Sequence, residues 1–235
     1  MNVHQLSERL AKVAEYLPAG AVFADIGSDH AYLPCYVCLK DPQAQAIAGE
    51  VNQGPYDSAL NEVKAHDLQS RIDVRLGDGL EVIQPGEVKQ VTIAGMGGPL
   101  IRDILERGRD KLTAVNRIIA QPNIDARSIR QWFYTHGYSL IDEQIMEEGG
   151  HIYEILAAEK GDPASAYESA DLEKELWLGP YLMKEKAAAF RKKWREEMIK
   201  KEYILDQMQK AATVDAVKVD TLQKEIKWLQ EVLSQ

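Results

Sequence analysis

The chain has 235 residues, 45% of them hydrophobic, with 28 Lys+Arg against 37 Asp+Glu and a formal charge of −9. This material suits one large domain, or one domain with an appendage, and excludes disordered, fibrous and disulfide-stapled classes. The acidity disfavours generic nucleic-acid binding, which rests on phosphate contacts, but it is uneven: residues 1–164 carry 15 basic and 24 acidic side chains, and residues 165–235 carry 13 of each.

The opening MNVHQLSERL lacks the apolar core of a secretory signal, and no run approaches the roughly 18 apolar residues of a membrane span. Two cysteines, Cys35 and Cys38, suggest a reducing compartment. The expectation is therefore a cytoplasmic protein without membrane contact. An opening helix is read in LSERLAKVAEYL.

The first strand candidate, AVFADI (21–26), runs into Gly27-Ser28-Asp29-His30. A glycine after a buried strand lets the backbone approach a ligand, and the following helix aims its amides there. In dinucleotide enzymes that ligand is a pyrophosphate, which a carboxylate at Asp29 would repel. Asp25 and Asp29 suit a positively charged ligand, such as the sulfonium and ammonium of S-adenosylmethionine. The plainer alternative makes Asp29 a helix cap. The segment YLPCYVCLK reads as a helix, with its two cysteines in the packing.

Strand two, AQAIAGEV (44–51), ends at Glu50, 23 residues beyond Gly27, where a carboxylate can accept from ribose hydroxyls. Strand three, IDVRLG (72–77), leads into Gly77-Asp78-Gly79, either an adenine-binding turn or an ordinary one. Strand four, QVTIAG (90–95), ends in Ala94-Gly95-Met96-Gly97-Gly98, and strand five, RIIAQP (117–122), in Gln121-Pro122-Asn123. Both loops belong to the crevice where open α/β sheets bind ligands. YSLIDEQIMEE (138–148) and HIYEILAAE (151–159), separated by Gly149-Gly150, read as a hairpin. His4, His66, His136 and His151 show no metal-site spacing, and no metal is expected.

Beyond residue 160 the pattern becomes helical, with Gly179-Pro180 marking a helix start. Apolar or small residues recur at Ala187, Phe190, Trp194, Met198, Leu205, Met208 and Ala212, broken at Lys201. A second series runs Val219, Leu222, Ile226, Leu229, Leu233. Two coiled-coil seams joined near Thr213–Asp215 predict an antiparallel helical hairpin, and the lack of Gly or Pro over 181–235 predicts long helices. The domains expected are 1–162 and 163–235.

Five βα units closed by a hairpin describe a class I methyltransferase (Rossmann-like) sheet, α/β, seven-stranded and mostly parallel with an antiparallel edge. DIGSDHAYLP, IAGEVNQGP, GDGLEVI, IAGMGG and QPN together resemble the bacterial tRNA adenine-22 N1-methyltransferases (TrmK) across essentially the whole chain. The resemblance implies S-adenosyl-L-methionine as donor, a tRNA methylated in its D-arm region, and a coiled-coil domain assisting tRNA binding. On this reading the donor lies against Asp25, Gly27, Ser28, His30, Tyr32, Glu50, Val51, Asn52, Gly77, Asp78, Gly79, Ala94, Gly95 and Met96. Asp29 is the expected catalytic carboxylate, and Asn123 the residue that orients the base edge. Arg9 and the block Arg191-Lys192-Lys193-Trp194-Arg195 are the candidates for tRNA contact, with Trp194 either stacking on RNA or buried in the seam. A monomer is expected. The competing readings are a methyltransferase acting on another RNA or a small molecule, an NAD-dependent oxidoreductase, and a non-catalytic helical adaptor.

Overall fold

The computed structural model describes residues 2–168, 170–210 and 215–234. Seven strands form one sheet: β1 (Val22–Ile26), β2 (Gln45–Glu50), β3 (Ile72–Leu76), β4 (Gln90–Gly97), β5 (Arg117–Ile124), β6 (Tyr138–Glu148) and β7 (His151–Lys160), in the order β3-β2-β1-β4-β5-β7-β6. The first five are mutually parallel, and β7 pairs antiparallel with both β5 and β6. Near-continuous apolar runs make the parallel strands because helices cover both sheet faces. Phe23, Ala24, Val91, Ile93, Ile118 and Ile119 are fully buried. The two glycines of the hairpin take positive φ at 58° and 81°, turning β6 directly into β7.

Helix α1 (Glu8–Glu15), whose cap Ser7 accepts from the Leu10 amide, precedes the sheet. Crossovers are supplied by α2 (Tyr32–Lys40), α3 (Gln53–Ala65), α4 (Gly98–Arg107) and α5 (Ala126–Thr135). Cys35 and Cys38 are buried on α2 as free thiols, and burial pushes their pKa values up to about 12 and about 11. They pack the helix and are poor nucleophiles.

The tail contains α6 (Leu172–Leu178), α7 (Pro180–Glu185), α8 (Ala188–Gln209) and α9 (Ala216–Ser234). Both seams form: Phe190 and Trp194 on α8 are buried with Leu229 of α9, Met198 and Leu233 pack partly buried against them, and Val232, outside the expected series, is buried as well. The gap in the first seam at Lys201 is filled electrostatically, since its Nζ meets Glu225 across the seam at 2.8 Å. Ala212 and Thr213 lie outside the described residues. The expectation of uninterrupted helix from residue 181 is corrected: Lys186 takes the left-handed conformation, φ 51°, and separates α7 from α8. Gly179 precedes Pro180 for a packing reason. A Cβ there would lie 2.7 Å from Arg130 Nη2 and 2.8 Å from Glu143 Oε2, so only glycine lets the chain cross this buried charge cluster.

That cluster fixes the tail to the sheet. Arg130 of α5 pairs with Glu143 of β6 and Glu154 of β7, all three side chains being at most 3% exposed. Lys193 of α8 pairs with Glu154, the Tyr181 amide donates to Glu143 Oε2, and Arg130 Nη1 donates to the Trp177 carbonyl. Buried charges are tolerated when paired and hydrogen-bonded in this way.

Candidate active site

At the carboxyl ends of β1, β4 and β5 a cavity of about 360 Å³ is lined by Arg9, Leu10, Asp25, Gly27, Ser28, Asp29, Leu33, Ala94, Gly95, Met96, Asn123 and Tyr153. The switch from β1–β2 to β1–β4 pairing opens it, as expected where strand order reverses. Nine of its twelve lining residues are ones the sequence singles out.

The turn after β1 is unusual. Asp29, His30 and Ala31 all have positive φ, at 46°, 71° and 57°. One non-glycine residue in this region is uncommon and costs of order 1–3 kcal/mol; three in a row form a strained left-handed turn. The helix-cap alternative for Asp29 fails here, because α2 is capped by Ala31 with no side-chain hydrogen bond. The Asp29 side chain is instead 75% exposed, with His30 Nε2 3.5 Å from its Oδ1. Tyr32, which opens α2, stands 5.5 Å from His30, ring to ring.

Asp25 lies deeper. Its Oδ2 accepts from Ser28 Oγ and its Oδ1 from Thr92 Oγ1, both at 2.6 Å. Burial raises its pKa to about 6 even though both hydroxyls pull the other way. Glu50 is also buried at the end of β2. Burial raises its pKa, while backbone hydrogen bonds from Asp29 and His30 partly offset the shift. The strained turn thus points its amides at Glu50 and leaves the Asp29 carboxylate to the cavity. Val51 beyond is 60% exposed, and Asn52 begins α3 without a side-chain cap bond.

The opposite wall is held by Gln121, fully buried, whose Oε1 accepts from the Gly95 amide and from Arg9 Nη1. Gln121 is therefore spent inside the wall and offers no edge to a heterocycle. Asn123 donates through Nδ2 to the Gly95 carbonyl at 2.8 Å, which leaves its second Nδ2 hydrogen and its Oδ1 for a substrate. Gly27 has φ 69°, and a Cβ there would lie 2.3 Å from Met96 Cε. Leu10, Leu33 and Tyr153 are absent from the sequence-level set. Tyr153 arrives because antiparallel pairing (Ala120 opposite Leu156) carries the start of β7 to the end of β5. Arg9 lies 4.9 Å from its ring and is held by Glu148 as well.

Two groups of expected residues fall elsewhere. Gly77, Asp78 and Gly79 follow β3, and Asp78 pairs through Oδ2 with Arg107 at 2.7 Å beside a separate small cleft, which leaves acceptor capacity on its carboxylate for an adenine amino group. The basic block on α8 is divided, and of the two readings of Trp194 the structure shows the buried one. Lys193 is committed to buried Glu154, Lys192 meets Glu147 at 2.5 Å, and Trp194 is 3% exposed, so it stacks on nothing outside. Among the described residues, Arg191 and Arg195 make no ion pair.

An S-adenosyl donor fits these residues by one test independent of motif. Glu50 Oε1 is buried with no hydrogen-bond partner, a costly state that donated hydroxyls of a ribose would relieve. Among the described residues no cluster of His, Cys, Asp and Glu could hold a metal ion, and no helix is long and apolar enough to cross a membrane.

Comparison with known proteins points the same way. The model of the family described as "TrmK: tRNA (adenine(22)-N(1))-methyltransferase" matches residues 23–231. The tRNA (adenine(22)-N(1))-methyltransferase of Bacillus subtilis is 51% identical over 235 residues, 99% of each chain. The crystal structure of the B. subtilis M1A22 tRNA methyltransferase TrmK superposes with a TM-score of 0.94 at 50% identity, covering 98% of this chain and 99% of that one. A Streptococcus pneumoniae protein solved in complex with S-adenosyl-L-methionine gives 0.84 at 40% identity, covering 97% and 100%.

Proposed function

The chain belongs to the tRNA (adenine(22)-N(1))-methyltransferase family, and from that premise we propose how the residues around its cavity carry the reaction. It is an S-adenosylmethionine-dependent enzyme that methylates N1 of adenosine 22 in tRNA. When bound, S-adenosylmethionine supplies a methyl group activated by a sulfonium. Glu50 holds the ribose hydroxyls, and Asp25, braced by Ser28 and Thr92, faces the cationic end. Arg9, the one cation among the described residues that line the cavity, suits the carboxylate of the methionine moiety; this moves it from the RNA set to the donor set. Gly27, Gly95 and Met96 shape the wall between them. His30, Tyr32, Val51 and Asn52 extend the donor site along the rim, and the Gly77–Gly79 turn, beside its own cleft, would take the adenine end of the donor. The enzyme is read as a cytoplasmic monomer, in keeping with its tRNA substrate.

Adenine N1 presents an in-plane lone pair, so the residues need only align the base, exclude water and meet the charge that develops. Asn123 Oδ1 accepts from the N6 amino group and fixes the base edge. Asp29 stabilises the positive charge on the ring or takes the N6 proton. The observation that carries this assignment is the left-handed turn: three consecutive strained residues expose the Asp29 carboxylate to the cavity while its amide serves Glu50. The expected result for Asp29→Asn is a kcat lower by about 10²-fold or more with donor affinity retained, measured with labelled donor and unmodified tRNA transcripts followed by nucleoside analysis. Normal donor binding with wild-type turnover would remove Asp29 from the mechanism, and absence of N1-methyladenosine with the wild-type enzyme would remove the reaction.

A further inference from the structure

Ile124 closes β5 directly after Asn123 and is 69% exposed. A single exposed isoleucine is ordinary on a protein surface. The way this one is mounted is not. It stands opposite Gly97 at the end of the β4–β5 ladder. Gly98, which opens α4, presses so close to the following turn that a Cβ would lie 1.9 Å from the Asp125 carbonyl oxygen and 2.9 Å from that of Ile124. Asp125 adopts φ 54° and caps α5, accepting from Ser128 Oγ at 2.5 Å. The turn is thus clamped on both sides, and the isoleucine is held out at the rim of the cavity by a support that has little freedom to withdraw it. Leu100, 50% exposed, adds apolar surface in the first turn of α4.

A base must leave its stack to reach chemistry in a cavity of this size, and the gap it leaves favours an apolar group in its place. Resting on the tRNA reading above, we propose that Ile124 is a wedge: its side chain occupies the stack vacated by the target adenosine, with the faces of the neighbouring nucleobases as its ligand. Asn123, one residue earlier, then meets the edge of the same base inside the cavity. One rigid strand end both displaces and reads the nucleotide.

The test uses the full-length enzyme, S-adenosylhomocysteine and a tRNA transcript carrying 2-aminopurine, whose fluorescence rises on unstacking, in place of the target adenosine. Wild type should give that rise. Ile124→Ala should lose most of it and lower kcat on unmodified tRNA by about tenfold or more, with melting temperature and donor affinity unchanged; Ile124→Leu should retain both signals. A full fluorescence rise in Ile124→Ala overturns the wedge, as does an alanine variant with wild-type kcat. No rise with wild type overturns extrusion and the wedge together, while N1-methyladenosine in the nucleoside assay would still uphold the tRNA reading.

Discussion

At the rim of the cavity, Asp25 and Glu50 are buried against hydroxyls and amides, and Arg9 on the same wall is engaged with Gln121 and Glu148 rather than with either of them. Beneath the helical tail, Arg130, Glu143 and Glu154 are buried against one another, and half-buried Lys193 closes the cluster. The consequences for proton affinity part at Glu154, while Glu143 of the same cluster is raised by burial as Asp25 is. Burial raises the pKa of Asp25 to about 6. Burial pushes Glu154 the same way, but Lys193 and Arg130 overcome it and hold that carboxyl below its usual range. Paired burial of this kind is architecture, complete without a ligand. Carboxylates buried without a cation are an arrangement that a cationic, hydroxyl-bearing ligand completes.

The contrast breaks most visibly at Arg130. Replacing it with methionine leaves Glu143 and Glu154 facing each other in the interior, and losing one partner of a buried ion cluster costs about 3–5 kcal/mol. At this chain length about 2–4 °C accompanies each kcal/mol, so thermal unfolding of Arg130→Met should fall by roughly 10 °C. Donor affinity of the folded fraction should be preserved, because the cluster contributes nothing to the cavity wall. A melting temperature within a degree or two of wild type would mean that the tail cluster is no better balanced than the rim.

Asp25 should respond in the other direction. Its folded pKa, about 6, lies above its unpaired value of 3.8, so the native state holds this proton more tightly than the unfolded chain. The resulting stabilisation is fully present below pH 3.8 and is lost as pH rises through about 6. At pH 8 the ligand-free enzyme carries an unfavourable buried charge, and Asp25→Asn should be as stable as wild type or more so, by about 1–3 kcal/mol. The same variant should bind donor about tenfold more weakly. Wild-type donor affinity should decline as pH falls through about 6, and the asparagine variant should show a flatter profile. Calorimetric titration and thermal melts at pH 5 and 8 check both halves. Lower stability together with undiminished donor affinity would invert the assignment.

How much of this was legible depended on sequence distance. Every strand and the two helical seams announce themselves locally, through apolar runs and three–four spacing, and the glycines and carboxylates at strand ends mark the rim. Tyr153 carries no local signal; only the pairing of β7 with β5 delivers it to the cavity. Arg130 and Glu154 are 24 residues apart, and Lys193 lies 39 further on, so the cluster is invisible until the sheet and tail are assembled. The break at Lys186 escapes because left-handed caps usually advertise themselves with glycine. Gln121 was legible as polar, but its commitment to Gly95 and Arg9 was not.

The smallest expected effect tests the boundary between the two regions, which runs through a single turn of α8. Lys193 belongs to the buried cluster, whereas Arg191 and Arg195 flank it without an ion pair among the described residues. Phosphate neutralisation releases counterions, at about 0.7–0.9 units of salt slope per contact. If the tail assists tRNA binding, Arg191→Ala with Arg195→Ala should weaken affinity by roughly threefold to tenfold and flatten the log–log salt dependence by up to about two units. Lys193→Ala should leave that slope nearly unchanged and lower the melting temperature instead, since it exposes Glu154 to Arg130 alone. Filter binding across a salt series, with a melt of each variant, separates the two roles. An unchanged slope in the double arginine variant would place tRNA recognition outside this face of α8, and a changed slope with Lys193→Ala would show that the buried ion pair opens when tRNA arrives.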